Sequence, residues 1–76
     1  MTTKEKVFAM AEKNNNFTLV SASGVFVIEI YDEYDKKEME VANWLEDNAK
    51  LVASDIGYSV YELDDGTIVE VDDMSD

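Results

Sequence analysis

Carboxylates are the side chains of this sequence that could do chemistry. There are 18 Asp and Glu residues and six lysines, and there is no His, Cys or Arg. Carboxylates serve as general acids and bases when their surroundings separate their pKa values, and they ligate hard cations such as Ca²⁺. The densest acidic runs are Asp32-Glu33-Tyr34-Asp35 and Asp64-Asp65-Gly66-Thr67. These two runs are therefore the first candidates for a catalytic or metal site.

The spacing of the carboxylates favours neither chemistry. They fall on surface positions and turns, where nothing separates one carboxyl from water and raises its pKa. The sequence has no glycine-rich phosphate loop and no nucleophile elbow. Neither acidic run has the alternating ligands and distal Glu of an EF-hand loop. We therefore expect a protein that is not an enzyme, with no catalytic residues, no metal site and no cofactor.

The distribution of charge is the strongest functional signal in the sequence. The formal net charge is −12; residues 1–28 carry a net charge of +1 and residues 29–76 a net charge of −13. This exceeds the net charge of about 2–8 that keeps a small domain soluble. The chain is nevertheless 46% hydrophobic, which predicts a folded domain and not a disordered one. A folded domain with this much self-repulsion usually presents its field to a positively charged partner, although a solvated surface is the alternative.

The charge and the apolar pattern also exclude some roles. An acidic surface repels nucleic acid and anionic lipid, so we expect no direct binding to either. No apolar run is long enough for a signal peptide or a membrane span. The absence of Cys fits a reducing compartment. These observations predict a cytoplasmic protein.

The apolar periodicity predicts one domain over residues 1–72 and a frayed acidic tail over residues 73–76. A helix over about 3–14 begins at a capping box, Thr2 to Glu5. Two strands, about 17–22 and 25–32, are joined by a Ser23-Gly24 turn. A second helix, about 36–54, is capped by Asp35 and ended by Gly57. Two further strands, about 58–63 and 67–72, flank an Asp-Gly hairpin signal at residues 64–66.

This order, αββαββ, predicts a two-layer α+β fold. We expect a four-stranded, mainly antiparallel sheet with two helices on one face. A ferredoxin-like βαββαβ unit whose first strand has moved to the end would have this order, and its last strand would lie centrally, beside the second.

The alternation along the strands and helices predicts which side chains are buried. A two-residue turn in the first hairpin places five apolar side chains on the core face, Phe17, Leu19, Phe26, Ile28 and Ile30. In the second hairpin one face is expected to hold Tyr58, Val60, Val69 and Val71, and the other Tyr61, Leu63 and Ile68. A bulge in that turn would change the register. The buried stripe of the second helix is expected to contain Val41, Ala42, Leu45, Ala49 and Val52.

The acidic residues of the second helix and the last hairpin could form one surface. DNA carries one negative charge per roughly 1.7 Å of helix axis, and a rigid array of carboxylates approximates that field. Trp44 is either a packing residue at the edge of the core or an interface anchor. The predicted partner-binding residues are Glu40, Trp44, Glu46, Asp47, Glu62, Asp64, Asp65, Glu70, Asp72 and Asp73.

The size, the charge, the absence of Cys and the acidic α/β pattern together resemble small phage-encoded inhibitors of the anti-CRISPR and DNA-mimic type. The stretch Ala42–Lys50, ANWLEDNAK, is similar to an acidic helix in an inhibitor of a type I CRISPR surveillance complex. The resemblance implies a basic nucleic-acid-binding partner, such as a CRISPR effector, from which the inhibitor excludes DNA in the bacterial host cytoplasm. The inhibitor would be a monomer or a small homo-oligomer.

A structural or adaptor domain is the alternative function. Such a domain would self-associate or bind a protein complex through the flank around Trp44 or through a free sheet edge.

Overall fold

A computed structural model describes residues 1–74. It contains two helices and five strands, which confirms the α+β class. The predicted four-stranded sheet is wrong, because the described chain forms a fifth strand within the predicted second helix. The elements in chain order are α1 (Thr3–Lys13), β1 (Phe17–Val20), β2 (Phe26–Ile30), α2 (Glu40–Asn48), β3 (Lys50–Asp55), β4 (Tyr58–Glu62) and β5 (Ile68–Asp73).

Helix α1 begins at the predicted capping box. The Glu5 amide donates to Thr2 Oγ1 at 3.1 Å, and the Thr2 amide donates to Glu5 Oε1 at 3.2 Å. These reciprocal bonds satisfy amides that have no partner within the first turn. Helix α1 buries Val7 and Ala11, one turn apart, against the sheet.

Helix α2 is much shorter than predicted. Asp35 caps the turn that precedes the helix, since its Oδ1 accepts from the amides of Lys37 at 2.9 Å and Glu38 at 3.3 Å. The helix itself starts at Glu40. Its end is marked by Ala49, whose backbone is extended (φ −114°, ψ 166°). Residues 50–55 then form β3, because their apolar side chains fit a strand as well as a helix and β4 offers them a hydrogen-bonded partner.

Gly57 does not end a helix. It has a φ of 87° in the two-residue turn between β3 and β4, a conformation that favours glycine.

The sheet has the strand order β1-β2-β5-β4-β3. Strand β5 lies between β2 and β4, as expected for a central last strand, and pairs in parallel with β2. The other three pairings are antiparallel. Strand β5 extends to Asp73, which we expected in the tail, and the Met74 amide donates to Ile30 O at 2.7 Å. The remaining residues of the predicted tail, 75 and 76, lie outside the described residues.

The β1–β2 and β4–β5 hairpins each have a three-residue loop. The first loop is one residue longer than the predicted two-residue turn, and the second spans the predicted residues 64–66. The Ser21 amide donates to Val25 O at 2.9 Å, and the Leu63 amide donates to Thr67 O at 2.8 Å. The last loop residue in each is a glycine with positive φ, 86° at Gly24 and 87° in the second loop. A one-residue shift moves every side chain of a strand to the other face.

The predicted faces of both hairpins are wrong in part, in the first because its loop is longer than predicted and in the second because the faces did not follow from the predicted loop. In the first hairpin, Phe17 lies opposite Glu29 and not on the face of Ile28. In the second, Tyr61 lies opposite Val69, so Tyr61 is on the core face and Val60 is not.

The core lies between both helices and one face of the sheet, which we call the covered face. It is entirely hydrophobic, and Leu45 is fully buried within it. Of the predicted helical stripe, Val52 is exposed and lies on β3. The buried residues of this cluster are Val7, Ala11, Ile28, Ile30, Val41, Leu45, Tyr61, Leu63, Val69 and Val71.

Candidate functional site

The sheet face opposite the two helices is uncovered by any described element, and we call it the open face. Its members follow from the strand register, since paired residues share a face. They are Phe17 and Leu19 of β1, Val27 and Glu29 of β2, Ile68, Glu70 and Asp72 of β5, Tyr58, Val60 and Glu62 of β4, and Lys50, Ala53 and Asp55 of β3.

Three carboxylates occupy the centre of the open face. Glu29 and Asp72 lie directly opposite each other on the parallel strands β2 and β5. Glu70 precedes Asp72 by two residues and therefore points to the same side. Like charges at such positions destabilise a sheet. The ion pair between Lys13 Nζ and Glu40 Oε1, at 3.7 Å, is the only one within residues 1–74, so no lysine neutralises this cluster.

In the folded domain, Glu70 and Asp72 are close enough for their carboxylates to repel each other. A hydrogen bond to the Asp72 carboxyl, partial burial and the charge of Asp72 raise the pKa of Glu70. The hydrogen bond requires a proton on one of the two groups, since two carboxylates can only accept. Asp72 Oδ1 is buried and accepts no hydrogen bond. When both groups are ionised, a positive group from a partner would reduce the repulsion between Glu70 and Asp72.

Glu29 is a member of this cluster that the sequence prediction missed. The Tyr31 hydroxyl donates to Glu29 Oε1, and this hydrogen bond is the main reason that the pKa of Tyr31 is raised. The signal for Glu29 is its place between the buried Ile28 and Ile30, because alternation then directs its side chain away from the core.

Apolar side chains flank the carboxylates. Phe17 is 56% exposed and Leu19 and Tyr58 are also exposed, whereas Val27 is buried although no helix covers it. An exposed apolar surface beside charged groups is typical of a protein-binding surface. The open face thus combines negative charge with apolar area.

Only part of the predicted partner-binding set lies on the open face, namely Glu62, Glu70 and Asp72. Asp64 and Asp65 lie in the loop between β4 and β5 and have partners within the chain.

Thr3 Oγ1 donates to Asp64 Oδ2 at 2.8 Å. Hydrogen bonds from the Thr67 side chain and backbone lower the pKa of Asp65. Glu40 accepts from Asn14 Nδ2 at 2.7 Å, in addition to its ion pair. These three carboxylates therefore contribute to contacts within the domain.

The remaining predicted residues lie on or near α2. Trp44 is half-buried, packs against the core and has Lys6 Nζ 5.3 Å from its ring centroid, so packing is the role that its contacts support. Asp47 is exposed. Glu46 and Asp73 line a cleft of about 270 Å³ between α2 and one end of the sheet.

Comparison with protein-family models, curated proteins and solved structures gave no match. Within residues 1–74, no three carboxylates are grouped so that they could hold a metal ion. Neither described helix has the length and apolar character needed to cross a membrane.

Proposed function

We propose that this protein is a non-enzymatic inhibitor that binds the basic nucleic-acid-binding surface of a target protein by DNA mimicry. The observation that carries the proposal is the cluster of Glu29, Glu70 and Asp72 on an uncovered sheet face without a cationic partner. The resemblance to small acidic phage proteins gives the biological setting. In that setting the protein is an anti-defence factor, of the anti-CRISPR type, in the cytoplasm of a bacterial host.

The sheet supports this proposal because it fixes the carboxylates in advance. Side chains on one face are separated by about 5 Å across strands and about 7 Å along a strand. Lysines and arginines that hold DNA phosphates would meet a similarly dense negative surface, since DNA carries one charge per roughly 1.7 Å of axis. A rigid sheet also limits the conformational entropy that is lost on binding.

The proposal is tested by displacement of DNA from a basic protein. The chain is titrated into a type I CRISPR surveillance complex, and separately into a nucleoid-associated protein, each holding a fluorescent DNA duplex. We expect the chain to displace DNA from at least one of them, and its affinity to fall steeply between 50 and 200 mM salt, as for electrostatic binding.

A matched pair of variants locates the interaction. The Glu29→Gln/Glu70→Gln variant should bind the target about tenfold more weakly or worse, as expected when two interfacial charges are lost. The Glu12→Gln/Asp32→Asn variant makes the same change in net charge at exposed positions outside the open face and should bind nearly as well as the unchanged chain. Affinity that does not depend on salt, or an equal loss in both variants, would contradict the proposal.

Strand β3 is the feature that favours the alternative, a self-associating adaptor domain. Every residue of this edge strand is exposed, and Ile56 in the adjoining turn is 98% exposed. An exposed edge offers unpaired backbone groups to a second strand. Light scattering would favour the adaptor if it showed a dimer that a lysine in place of Val52 converts to a monomer.

A further inference from the structure

The cleft between α2 and the end of the sheet is a second feature with the properties of a binding site. Apolar side chains form part of its lining, including those of the buried Ile30 and Val71 together with Met39. Its volume of about 270 Å³ lies below the range of about 300–1,000 Å³ that is usual for drug-sized ligands. The cleft therefore has room for a single long side chain and not for a larger segment.

Tyr61 lines the wall of this cleft, and the residue is only 8% exposed. Its hydroxyl makes no hydrogen bond to another group within residues 1–74. The hydroxyl is not among the buried side-chain atoms that lack a hydrogen bond, so it is reached by solvent. A ligand in the cleft could therefore replace that water as its hydrogen-bond partner.

Carboxylates from four parts of the chain surround the cleft. Glu33 precedes α2, Glu46 lies on it, Asp55 ends β3 and Asp73 ends β5. Within the described chain, neither glutamate side chain has a hydrogen bond or an ion pair, and Asp55 accepts from the Ile56 amide at 2.7 Å. None of the described lysines lines the cleft. The occupant that complements this site has a positive head and an apolar stem.

We propose that the cleft binds an arginine side chain of a partner protein. The planar guanidinium has five N–H donors that can reach carboxylates and a tyrosine oxygen, and it stacks on aromatic rings such as that of Tyr58. The methylene stem would lie against the apolar side chains of the lining. The proposal rests on the proposed function for its basic partner. It refines that function because Asp55 and Tyr58 belong to both the open face and the cleft.

The test uses the full chain, labelled with ¹⁵N, and three short peptides. The probe is acetyl-Gly-Arg-Gly-amide, and the same peptide with citrulline or lysine is the comparison, since citrulline keeps the shape and lacks the charge. We expect saturable chemical-shift changes at the amides of Asn43, Glu46 and Ser59. The arginine peptide should bind on the order of fivefold more tightly than either of the others.

Two variants test the groups that the proposal invokes. Tyr61→Phe keeps the ring and removes the hydroxyl, and it should weaken the arginine peptide by about threefold. Glu46→Gln/Asp55→Asn should remove the preference for arginine over citrulline, whereas Glu12→Gln/Asp32→Asn, with the same change in charge, should retain it. Equal binding of arginine and citrulline, shifts spread evenly over the acidic surface, or equal effects of both double variants would overturn the proposal.

The failure of this proposal is distinguishable from the failure of the proposed function. If the Glu46→Gln/Asp55→Asn variant displaces DNA as well as its control does, and the peptides show no preference, the cleft proposal is wrong and the DNA-mimic proposal stands. If the arginine preference is found but no DNA is displaced, the cleft proposal stands and DNA mimicry is wrong.

Discussion

The two faces of the sheet are built from the same strands and have opposite character. In β5, Val69 and Val71 are buried on the covered face, and Glu70 and Asp72 alternate with them on the open face. The buried cluster on the covered face has no charged member, whereas the open face places carboxylates side by side. The covered face is what folding requires. The repulsion on the open face has no role in folding, and such local conflicts are typical of functional surfaces.

The largest effect should come from opening a cavity under the covered face. Leu45 is fully buried, so Leu45→Ala should lower the free energy of unfolding by about 2–5 kcal/mol. A 76-residue domain has only a modest stability, so much of the variant could be unfolded. Leu19→Ala on the open face removes a side chain that is 39% exposed and should cost less than about 1 kcal/mol. Urea denaturation followed by circular dichroism measures both, and equal losses would show that the faces do not differ as described.

An intermediate effect is expected at the turn that determines which side chains reach each face. Gly66 has a φ of 87°, and no atom lies within 4 Å of the position that a Cβ would occupy. Gly66→Ala should therefore cost about 1–2 kcal/mol through the backbone alone. Gly66→Asn should cost less, because asparagine tolerates this conformation better. If alanine is tolerated without loss, the three-residue loop and the register that follows from it are wrong.

The smallest effect has the opposite sign and depends on pH. Glu70→Gln removes one of the adjacent charges and should stabilise the domain at pH 7 by on the order of 0.5 kcal/mol. The pKa of Glu70 is raised above its ordinary value of 4.5, so its favourable contribution is full below that value and is lost as pH rises through the folded pKa. The advantage of the variant should therefore shrink toward pH 4. Thermal unfolding at both pH values measures it, with Glu12→Gln as control; a destabilised variant at pH 7 would contradict the repulsion.

The sequence predicted those elements whose signals are local. The capping box identified the start of α1, and Gly24 and Gly66 identified the turns of the β1–β2 and β4–β5 hairpins. Residues 49–54 were assigned to a helix because their apolar spacing fits both periods, and only the pairing of β3 with β4 decides between them. The register of the first hairpin failed because a dipeptide signal does not fix the number of loop residues, and that number decides which face each side chain occupies.

The difference between local signals and long-range pairing also explains which residues of the open face the sequence predicted. Glu70 and Asp72 were identified because they lie in the acidic part of the sequence. Glu29 was not, because it precedes them by about forty residues and joins them only through the parallel pairing of β2 with β5. Tyr61 was predicted to share a face with Leu63 and Ile68, and its place in the cleft was missed because it depends on the packing of α2 over the sheet.

The central position of β5 also implies a time order for assembly. During synthesis, β1 can pair with β2 and β3 with β4 as soon as each hairpin leaves the ribosome. The two hairpins have no sheet in common until residues 68–73 are available, because β5 is the strand that joins them. Glu29 meets Asp72 in the same step. The nascent protein therefore acquires its closed core and its dense negative surface together, and a shorter chain would have neither.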